Sequence, residues 1–191
     1  IIGGKVLNFG SNARAGEGKY IVFEADESDG TFLNLLPSIG IVTNIDADHL
    51  DHYKYFEGLK DAFLSYINHI PFYGYSVLCI DDSVIRELLP KIERPYYTYG
   101  FSEDADFTAY DIKREDGFTC FSCNYKGEKV GDFRISLLGN HNVSNALAVI
   151  AVALELGIPC ETLRHGLENF RGVGRRLEKI GEKNGVSVFD D

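Results

Sequence analysis

Short apolar runs alternate with longer amphipathic segments through the first half of this chain. Tyr20–Ala25 and Ile39–Ile45 are nearly all apolar, a pattern typical of parallel strands that are covered on both faces. Tyr75–Ile80 and Tyr96–Tyr99 predict two further strands of the same kind. The stretch Gly30–Pro37 between the first two runs leaves room only for a short helical or irregular turn.

Helical periodicity fills the gaps between these strands. Apolar residues recur every three or four positions over Phe56–Ile70, and Pro71 ends the predicted helix. Asp81 and Asp82 offer N-caps for a shorter helix over Ser83–Leu89. Because strands and helices alternate, the pattern predicts an α/β fold with a mostly parallel sheet flanked by helices.

Apolar and polar residues alternate in three later segments, Phe107–Arg114, Gly117–Tyr125 and Glu128–Ser136. The DG and KG pairs between these segments predict hairpin turns, so we expect a small antiparallel subsheet. Helical patterns return over Asn142–Leu156 and Cys160–Phe170.

A predicted strand pair, Leu177–Ile180 with Val186–Phe189, closes the pattern. No repeat, low-complexity segment or linker interrupts the 191 residues, so we interpret the chain as one domain. A hydrophobic content of 45% with 25% charged residues is typical of a folded globular protein.

The formal net charge of −10 narrows the classes of partner. Nonspecific nucleic-acid binding needs a basic surface, so we expect no nucleic-acid partner. Nucleotide binding stays open, because a divalent metal can lie between acids and phosphates. No apolar stretch approaches the ~20 residues of a membrane helix, so we expect no membrane partner. The oligomeric state stays open.

The four cysteines include one CxxC pair, Cys120 and Cys123. A single pair without a second one is a weak metal signal, and this pair lies in an alternating segment. We therefore interpret these thiols as strand packing, and the cysteine usage as typical of a reducing cytoplasm.

Two acidic stretches, EADESDG from Glu24 and TNIDADHLDH from Thr43, follow the first two predicted strands. Ligands bind at the carboxyl ends of parallel strands, so we expect these acids to cradle Mg²⁺ beside a nucleotide, with His49 adding a nitrogen ligand or contacting a phosphate. Glu24 favours such a role most, because an unpaired carboxylate is costly at the end of an apolar strand. The alternative is that the acids cap turns, Asp29 before Thr31–Leu36 and Asp51 before the next helix.

Two later motifs carry polar chemistry of their own. In LGNHNVSN, Asn142 and Asn145 have both donor and acceptor groups and suit a purine edge, although an asparagine there can equally be a helix N-cap. In GVGRR, Arg175 and Arg176 suit phosphate or oxyanion binding, or are surface arginines in a loop.

These motifs, EADESDG, TNIDADHLDHY, LGNHNVSNALA and FRGVGRRLE, resemble in order and spacing the central ATPase domain of the Mur ligases. The resemblance covers nearly the whole chain and implies a P-loop-type α/β domain in a cytoplasmic enzyme of cell-wall synthesis. The member it resembles most uses ATP and Mg²⁺ to join L-alanine to UDP-N-acetylmuramic acid through an acyl phosphate.

The resemblance also implies roles for particular residues. It assigns metal binding to Glu24 and His49, and phosphate and substrate contacts to Arg175 and Arg176, with all four taking part in catalysis. The residues that it places around the nucleotide are Asn44 near the γ-phosphate, Asn142 and Asn145 near adenine, and Asp190 or Asp191 near the ribose.

The chain departs from the family in lacking a GK[ST] phosphate-binding loop, which in Mur ligases lies upstream of the EADESD strand. We expect that loop before residue 1, the central domain over residues 1–189, and the next domain to begin at residues 190–191. We therefore expect the 191 residues alone to lack ligase activity.

Other functions remain open from the sequence. Within the family, the alternative is the recycling ligase that attaches a tripeptide to the same sugar nucleotide, with a folate polyglutamate ligase more distant. From another class, Asp46, Asp48, His49 and His52 suit a metal-dependent phosphohydrolase, and a noncatalytic nucleotide-binding module is a third interpretation.

Overall fold

The computed structural model describes residues 1–48, 50–174 and 178–190. Contacts divide the chain into two compact units. The larger unit is Asp26–Glu168, and the smaller unit combines Ile1–Ala25 with Asn169–Asp191.

The larger unit is built on one six-stranded sheet whose strands lie in chain order. The strands are β1 (Ile39–Val42), β2 (Tyr75–Cys79), β3 (Tyr96–Gly100), β4 (Phe107–Glu115), β5 (Phe118–Tyr125) and β6 (Glu128–Ile135). Strands β1 to β4 pair in parallel, whereas β4 to β6 pair antiparallel. The mostly parallel α/β sheet is therefore confirmed, and the predicted antiparallel subsheet continues the parallel sheet through β4.

Helices connect and cover these strands. They are a single 3-10 turn (Thr31–Asn34), α1 (Leu50–Tyr53), α2 (Phe56–Asn68), α3 (Ser83–Leu88), a second 3-10 turn (Leu89–Lys91), α4 (Asn140–Glu155) and α5 (Cys160–Asn169). Helix α3 begins where predicted, because the Asp82 carboxylate accepts a hydrogen bond from the Ile85 amide at 2.8 Å. Within the described part of the chain, no helix has the length and apolar content to cross a membrane.

The core lies between the sheet and α4, which contacts β2, β3 and β4. Val77 and Leu78 are fully buried although they point to opposite faces of β2, as expected of a parallel strand covered on both sides. Tyr99 on β3 and Leu147 on α4 are buried as completely. Strand β1 differs, because Ile41 is 45% exposed, so the prediction that this run is covered on both faces is wrong.

Glycine is required at two kinds of position in this unit. Lys126-Gly127 has positive φ angles of 50° and 83°, the left-handed geometry of the predicted hairpin turn. Gly74 precedes β2 at a close approach of backbone, and an added Cβ there would lie 2.2 Å from the Ser38 carbonyl oxygen.

All four cysteines are free. Cys123 is fully buried in β5, and burial raises the pKa of its thiol to about 12. Cys120 lies in the same strand and is half-buried. The interpretation of this pair as strand packing is confirmed.

The smaller unit holds an antiparallel pair, β7 (Glu178–Lys183) with β8 (Val186–Asp190), which confirms the predicted closing hairpin. Its two chain segments meet through backbone hydrogen bonds, from the Leu7 amide to the Gly172 carbonyl at 3.1 Å and from the Gly174 amide to the Lys5 carbonyl at 2.8 Å.

The prediction of a buried strand over Tyr20–Ala25 is wrong. The segment has no strand structure, and Ile21 and Val22 are 72% and 78% exposed. Its backbone bonds instead to the first residue, from the Ile1 amino group to the Val22 carbonyl and from the Glu24 amide to the Ile1 carbonyl. An apolar run becomes a strand only where a neighbouring strand offers a ladder, and this run pairs with a single residue.

The prediction that Asp51 caps the following helix is also wrong. Asp51 lies inside α1, and the residue before α2 is Tyr55, which makes no side-chain cap. The sequence pattern predicted no helix before Phe56, whereas the short helix α1 lies there at Leu50–Tyr53.

Candidate functional site

The carboxyl end of β1 opens onto a cavity of about 240 Å³. Its walls combine carboxylate and amide oxygens with an apolar floor, from Glu27, Asn44, Ile45, Asp46, Asp48, Leu59 and Phe63. This is the edge at which parallel α/β sheets bind ligands.

The loop after β1 is anchored by one buried side chain. Ile45 is 2% exposed, and its amide donates to the Asp82 carboxylate at 3.4 Å. Asp46 closes a tight turn, since its carbonyl accepts from the Asp48 amide at 2.7 Å. Asn44, Asp46 and Asp48 are consequently held at the surface around a fixed apolar centre.

Helix α2 supplies the floor of the cavity. Leu59 and Phe63 are four residues apart and therefore lie on one face of this helix. Phe63 packs against Phe32 with ring centroids 5.3 Å apart, so the floor contacts the 3-10 turn Thr31–Asn34. An apolar floor under oxygen ligands excludes water from one side of the site and strengthens electrostatic interactions there.

The acidic loop Asp26–Asp29 contributes one residue, Glu27, to the cavity lining. Asp26 accepts from the Ser28 amide and Asp29 from the Thr31 amide, both at 2.9 Å. The hydrogen bonds from Thr31 lower the pKa of Asp29. These two aspartates shape turns, as the capping alternative expected for Asp29, whereas Glu27 between them lines the cavity.

The two acidic stretches therefore meet at one cavity, and Glu27 is the residue of the first stretch that reaches it. Sequence reasoning did not single out Glu27. A signal was present, because Asp26 and Asp29 each stand two residues before Ser28 or Thr31, the spacing of a side-chain turn. That spacing separates Asp26 and Asp29 from the two glutamates of the stretch, Glu24 and Glu27, but does not choose between these two.

Glu24 has a different setting from the one expected. It belongs to the smaller unit, is exposed rather than buried, and its carboxylate accepts from the Gly3 amide at 2.5 Å. The cost of burying an unpaired carboxylate therefore gives no argument for a ligand at Glu24. Its assignment as a metal ligand stays a prediction.

Asn142 and Asn145 lie in the first turns of α4, so neither is the N-cap, a position held by Gly139. The Asn142 amide nitrogen donates to the Leu138 carbonyl at 2.7 Å, and Asn145 is exposed. The Ser144 hydroxyl lies 3.7 Å from the Cys79 thiol at the end of β2. This contact places the start of α4 at the carboxyl edge of the sheet, the same edge as the cavity.

The remaining candidates are less fully described. Asp190 is an exposed residue at the end of β8 in the smaller unit. Four predicted site residues lie outside the described residues, namely His49, Arg175, Arg176 and Asp191. Among the described residues, no group of three or more His, Cys, Asp or Glu side chains is arranged to hold a metal ion.

Comparison with known proteins adds evidence from the whole chain. The curated UDP-N-acetylmuramate–L-alanine ligase of Geobacter sp. (strain M21) is 50% identical over 191 residues, which is all of this chain and 41% of that protein. The crystal structure of the UDP-N-acetylmuramate-alanine ligase MurC from Thermotoga maritima matches 99% of this chain and 42% of its own, with a TM-score of 0.83 and 27% identity.

A more distant structure shares the fold alone. The MurF ligase from Thermotoga maritima in complex with ADP matches 88% of this chain and 39% of its own, with a TM-score of 0.70 and 20% identity. The chain spans about two fifths of the length of the curated relative. The family model described as the Mur ligase middle domain matches residues 5–153. The chain therefore belongs to the Mur ligase middle domain family.

Proposed function

We propose that this chain is the nucleotide-binding middle part of a ligase that uses ATP to join L-alanine to UDP-N-acetylmuramic acid. The observation that carries the proposal is the 50% identity, over every residue of the chain, with a ligase of that name. The alternatives within the family are the tripeptide recycling ligase and, more distantly, a folate polyglutamate ligase. No residue of the cavity specifically favours either of them.

The reaction explains why acids and amides gather at a strand end. ATP would transfer its γ-phosphoryl group to the lactyl carboxylate and leave ADP. The amine of L-alanine would then attack the acyl phosphate, so that an amide bond forms and inorganic phosphate leaves. Because the transfer brings several negative charges together, the protein's main task is positioning and charge compensation rather than covalent chemistry.

The cavity at the end of β1 is lined by residues whose oxygen atoms are of the type that Mg²⁺ binds. Glu27, Asp46 and Asp48 present carboxylates, and Asn44 an amide oxygen, which are the ligand types that Mg²⁺ prefers. These residues do not by themselves complete a metal site. A bound Mg²⁺ would shield the phosphate oxygens from the carboxylates and from each other.

Glu24 and His49 are proposed as the magnesium ligands, with Arg175 and Arg176 against the phosphate and the substrate carboxylate. Asn44 would contact the γ-phosphate region. This set is proposed from the family resemblance, and of its two described members, Glu24 and Asn44, Asn44 also lines the cavity.

We propose from the family resemblance that Asn142 and Asn145 lie near the adenine of the nucleotide. Asn142 is held in place by its bond to Leu138, and Asn145 follows one turn later on the same helix. Their amide groups can donate to and accept from a purine edge. Asp190 or Asp191 would accept hydrogen bonds from the ribose.

We further propose a cytoplasmic location, where ATP and the sugar nucleotide are available. Residues 1–189 would be the central domain of the ligase, with residues 190–191 starting the next domain and the glycine-rich phosphate loop preceding residue 1.

The test is phosphate release from Mg–ATP by the full-length protein that contains this chain, with UDP-N-acetylmuramic acid and L-alanine each added or withheld. Release that requires both substrates supports the ligase. Release without either substrate contradicts it and favours a phosphohydrolase at Asp46 and Asp48. Replacing L-alanine with the tripeptide separates the alanine ligase from the recycling ligase.

A further inference from the structure

The side-chain amide of Asn142 is held in one orientation by two neighbours. Its nitrogen donates to the Leu138 carbonyl at 2.7 Å and lies 3.0 Å from Nε2 of His141. A side-chain amide nitrogen carries two hydrogens and accepts no hydrogen bond. Both hydrogens are therefore engaged, and Nε2 of His141 is the acceptor of the second one.

This acceptor role defines the state of the His141 ring. An imidazole nitrogen that accepts a hydrogen bond carries no proton, so the ring proton of neutral His141 lies on Nδ1. Gly139 makes room for the ring, because an added Cβ there would lie 2.7 Å from Cε1 and 2.9 Å from Nδ1 of His141. Gly139 also has a φ of 93°, which glycine adopts without steric cost. The turn before α4 thus brings the ring against Asn142.

The amide oxygen is consequently the group of Asn142 that faces a ligand. Turning the amide over would bring this oxygen to the Leu138 carbonyl and to Nε2 of His141, and two acceptors cannot bond to each other. The turned amide is therefore unfavourable, because it leaves polar atoms unpaired. Among the described residues, none donates a hydrogen bond to the oxygen of Asn142.

Asn145 lacks this constraint. It lies three residues later on the same face of α4 and is exposed. In the part of the chain that the structure describes, no residue is bonded to its side-chain amide. Asn145 can therefore present either its oxygen or its nitrogen to a ligand, so the choice between a donor and an acceptor on the ligand depends on Asn142.

Purine bases differ in the group that such an oxygen would meet. Adenine carries an amino group at position 6, which donates, whereas guanine and hypoxanthine carry a carbonyl oxygen there, which accepts. An amide oxygen held towards the base pairs with the amino group and opposes the carbonyl. A site built to bond one polar group rejects an analogue without it, because its own polar atom is then left unpaired.

We propose that His141 is a positioning residue which, together with the Leu138 carbonyl, holds the oxygen of Asn142 towards the nucleotide and so selects a 6-aminopurine over a 6-oxopurine. The inference rests on the proposed function, because that function places adenine near Asn142. His141 acts through Asn142 and need not touch the base.

The test is equilibrium binding of Mg–ATP and of Mg–inosine triphosphate, a 6-oxopurine nucleotide, to the full-length protein that contains this chain. The wild type should bind ATP at least about tenfold more tightly. His141→Phe keeps a planar ring without an acceptor, and should lower this ratio of affinities about fivefold, since one of the two bonds that orient the amide is lost. The control His69→Phe changes an exposed histidine at the end of α2 and should leave the ratio unchanged.

Gly139→Ala displaces the His141 ring from the other side and carries the test if His141→Phe does not fold. Its control is Gly117→Ala, where φ is also positive at 83° but nothing lies within 4 Å of the added Cβ. We expect the ratio of affinities to fall in Gly139→Ala and to stay at the wild-type value in Gly117→Ala.

An unchanged ratio in His141→Phe, or an equal fall in His69→Phe, overturns the positioning role. Equal loss of affinity for both nucleotides in His141→Phe also overturns it, because that result indicates a structural role alone. A wild type that binds inosine triphosphate as tightly as ATP, or binds neither, does so as well.

These readouts need no ligase reaction, so the two proposals can fail separately. A wild type that prefers ATP, with the preference reduced in His141→Phe, supports the role of His141 even if the protein releases no phosphate in response to L-alanine. That absence of phosphate release would refute the proposed ligase function.

Discussion

The Asp82 carboxylate joins two elements that are far apart in sequence, because one oxygen accepts from the Ile45 amide at 3.4 Å while the other caps α3. Ile45 is the buried centre of the loop that carries Asn44 and Asp46. The same side chain thus stabilises a helix and fixes the wall of the cavity.

Replacing Asp82 by alanine should therefore affect both stability and nucleotide binding. Loss of the cap costs about 1 kcal/mol, and the released loop should weaken binding of Mg–ATP to the full-length protein. Thermal unfolding and equilibrium nucleotide binding measure the two effects. Asp104→Ala is the control, since its ion pair with Arg86 is largely exposed and should change stability by less than about 1 kcal/mol. Equal losses of stability and of Mg–ATP binding in the two variants would contradict the claim that Asp82 supports both α3 and the cavity wall.

Helix α4 offers a matched pair for the core. Leu147 is fully buried against the sheet, whereas Val149 on the same helix is 46% exposed. Leu147→Ala should destabilise the protein by about 2–5 kcal/mol, and Val149→Ala by less than about 0.5 kcal/mol. Thermal unfolding measures both, and a comparable loss in the two variants would show that α4 does not pack as described.

Acid should weaken the contact between α2 and α3. Lys60, with its side chain 11% exposed, pairs with Glu87 at 2.9 Å, and this partner lowers the pKa of Glu87. A lowered pKa means that the ion pair stabilises the fold above about pH 4.3 and loses this effect as the pH falls through the depressed value.

The unfolding midpoint should thus depend less on pH between 7 and 3 in Lys60→Met than in the wild type. Lys113→Met is the control, because the Lys113 and Glu115 side chains are 65% and 56% exposed. If the unfolding midpoint of Lys60→Met depends on pH as strongly as that of the wild type, the Lys60–Glu87 ion pair does not stabilise the fold.

Glu27 should affect cation binding, although the sequence motif pointed to Glu24 instead. Glu27→Gln removes a negative charge from the cavity wall and should weaken Mn²⁺ binding up to about tenfold, because the charge attracts the cation without being its ligand. Glu103→Gln, an exposed change in the loop before β4, should have no effect. Electron paramagnetic resonance of Mn²⁺ in the full-length protein distinguishes the two variants.

The sequence predicted those parts of the fold that local pattern controls. The apolar runs of β2 and β3, the helical stripe of α2 and the turn at Lys126-Gly127 all lie where expected, because each reports burial or backbone geometry at its own position. The run Tyr20–Ala25 has the same composition, yet it forms no strand. Composition records a tendency to be buried but does not identify the strand that would pair with it.

The candidate site shows the same limit. Sequence pattern placed both acidic stretches after strands, but only the second follows one, at the end of β1. The first reaches the cavity through Glu27, in a segment without strand structure. The pattern could not show that Asp26 and Asp29 serve turns while Glu27 faces the cavity. Nor could it find the bond from Tyr53 to Glu27, since a contact across 26 residues leaves no periodic trace.

The account's central claim is that metal-bound phosphates lie at the cavity at the end of β1. The most direct measurement is anomalous diffraction from crystals of the full-length protein grown with Mn²⁺ and ADP. We predict a manganese peak at this cavity. A peak elsewhere, with the cavity empty while ADP is bound, would contradict it.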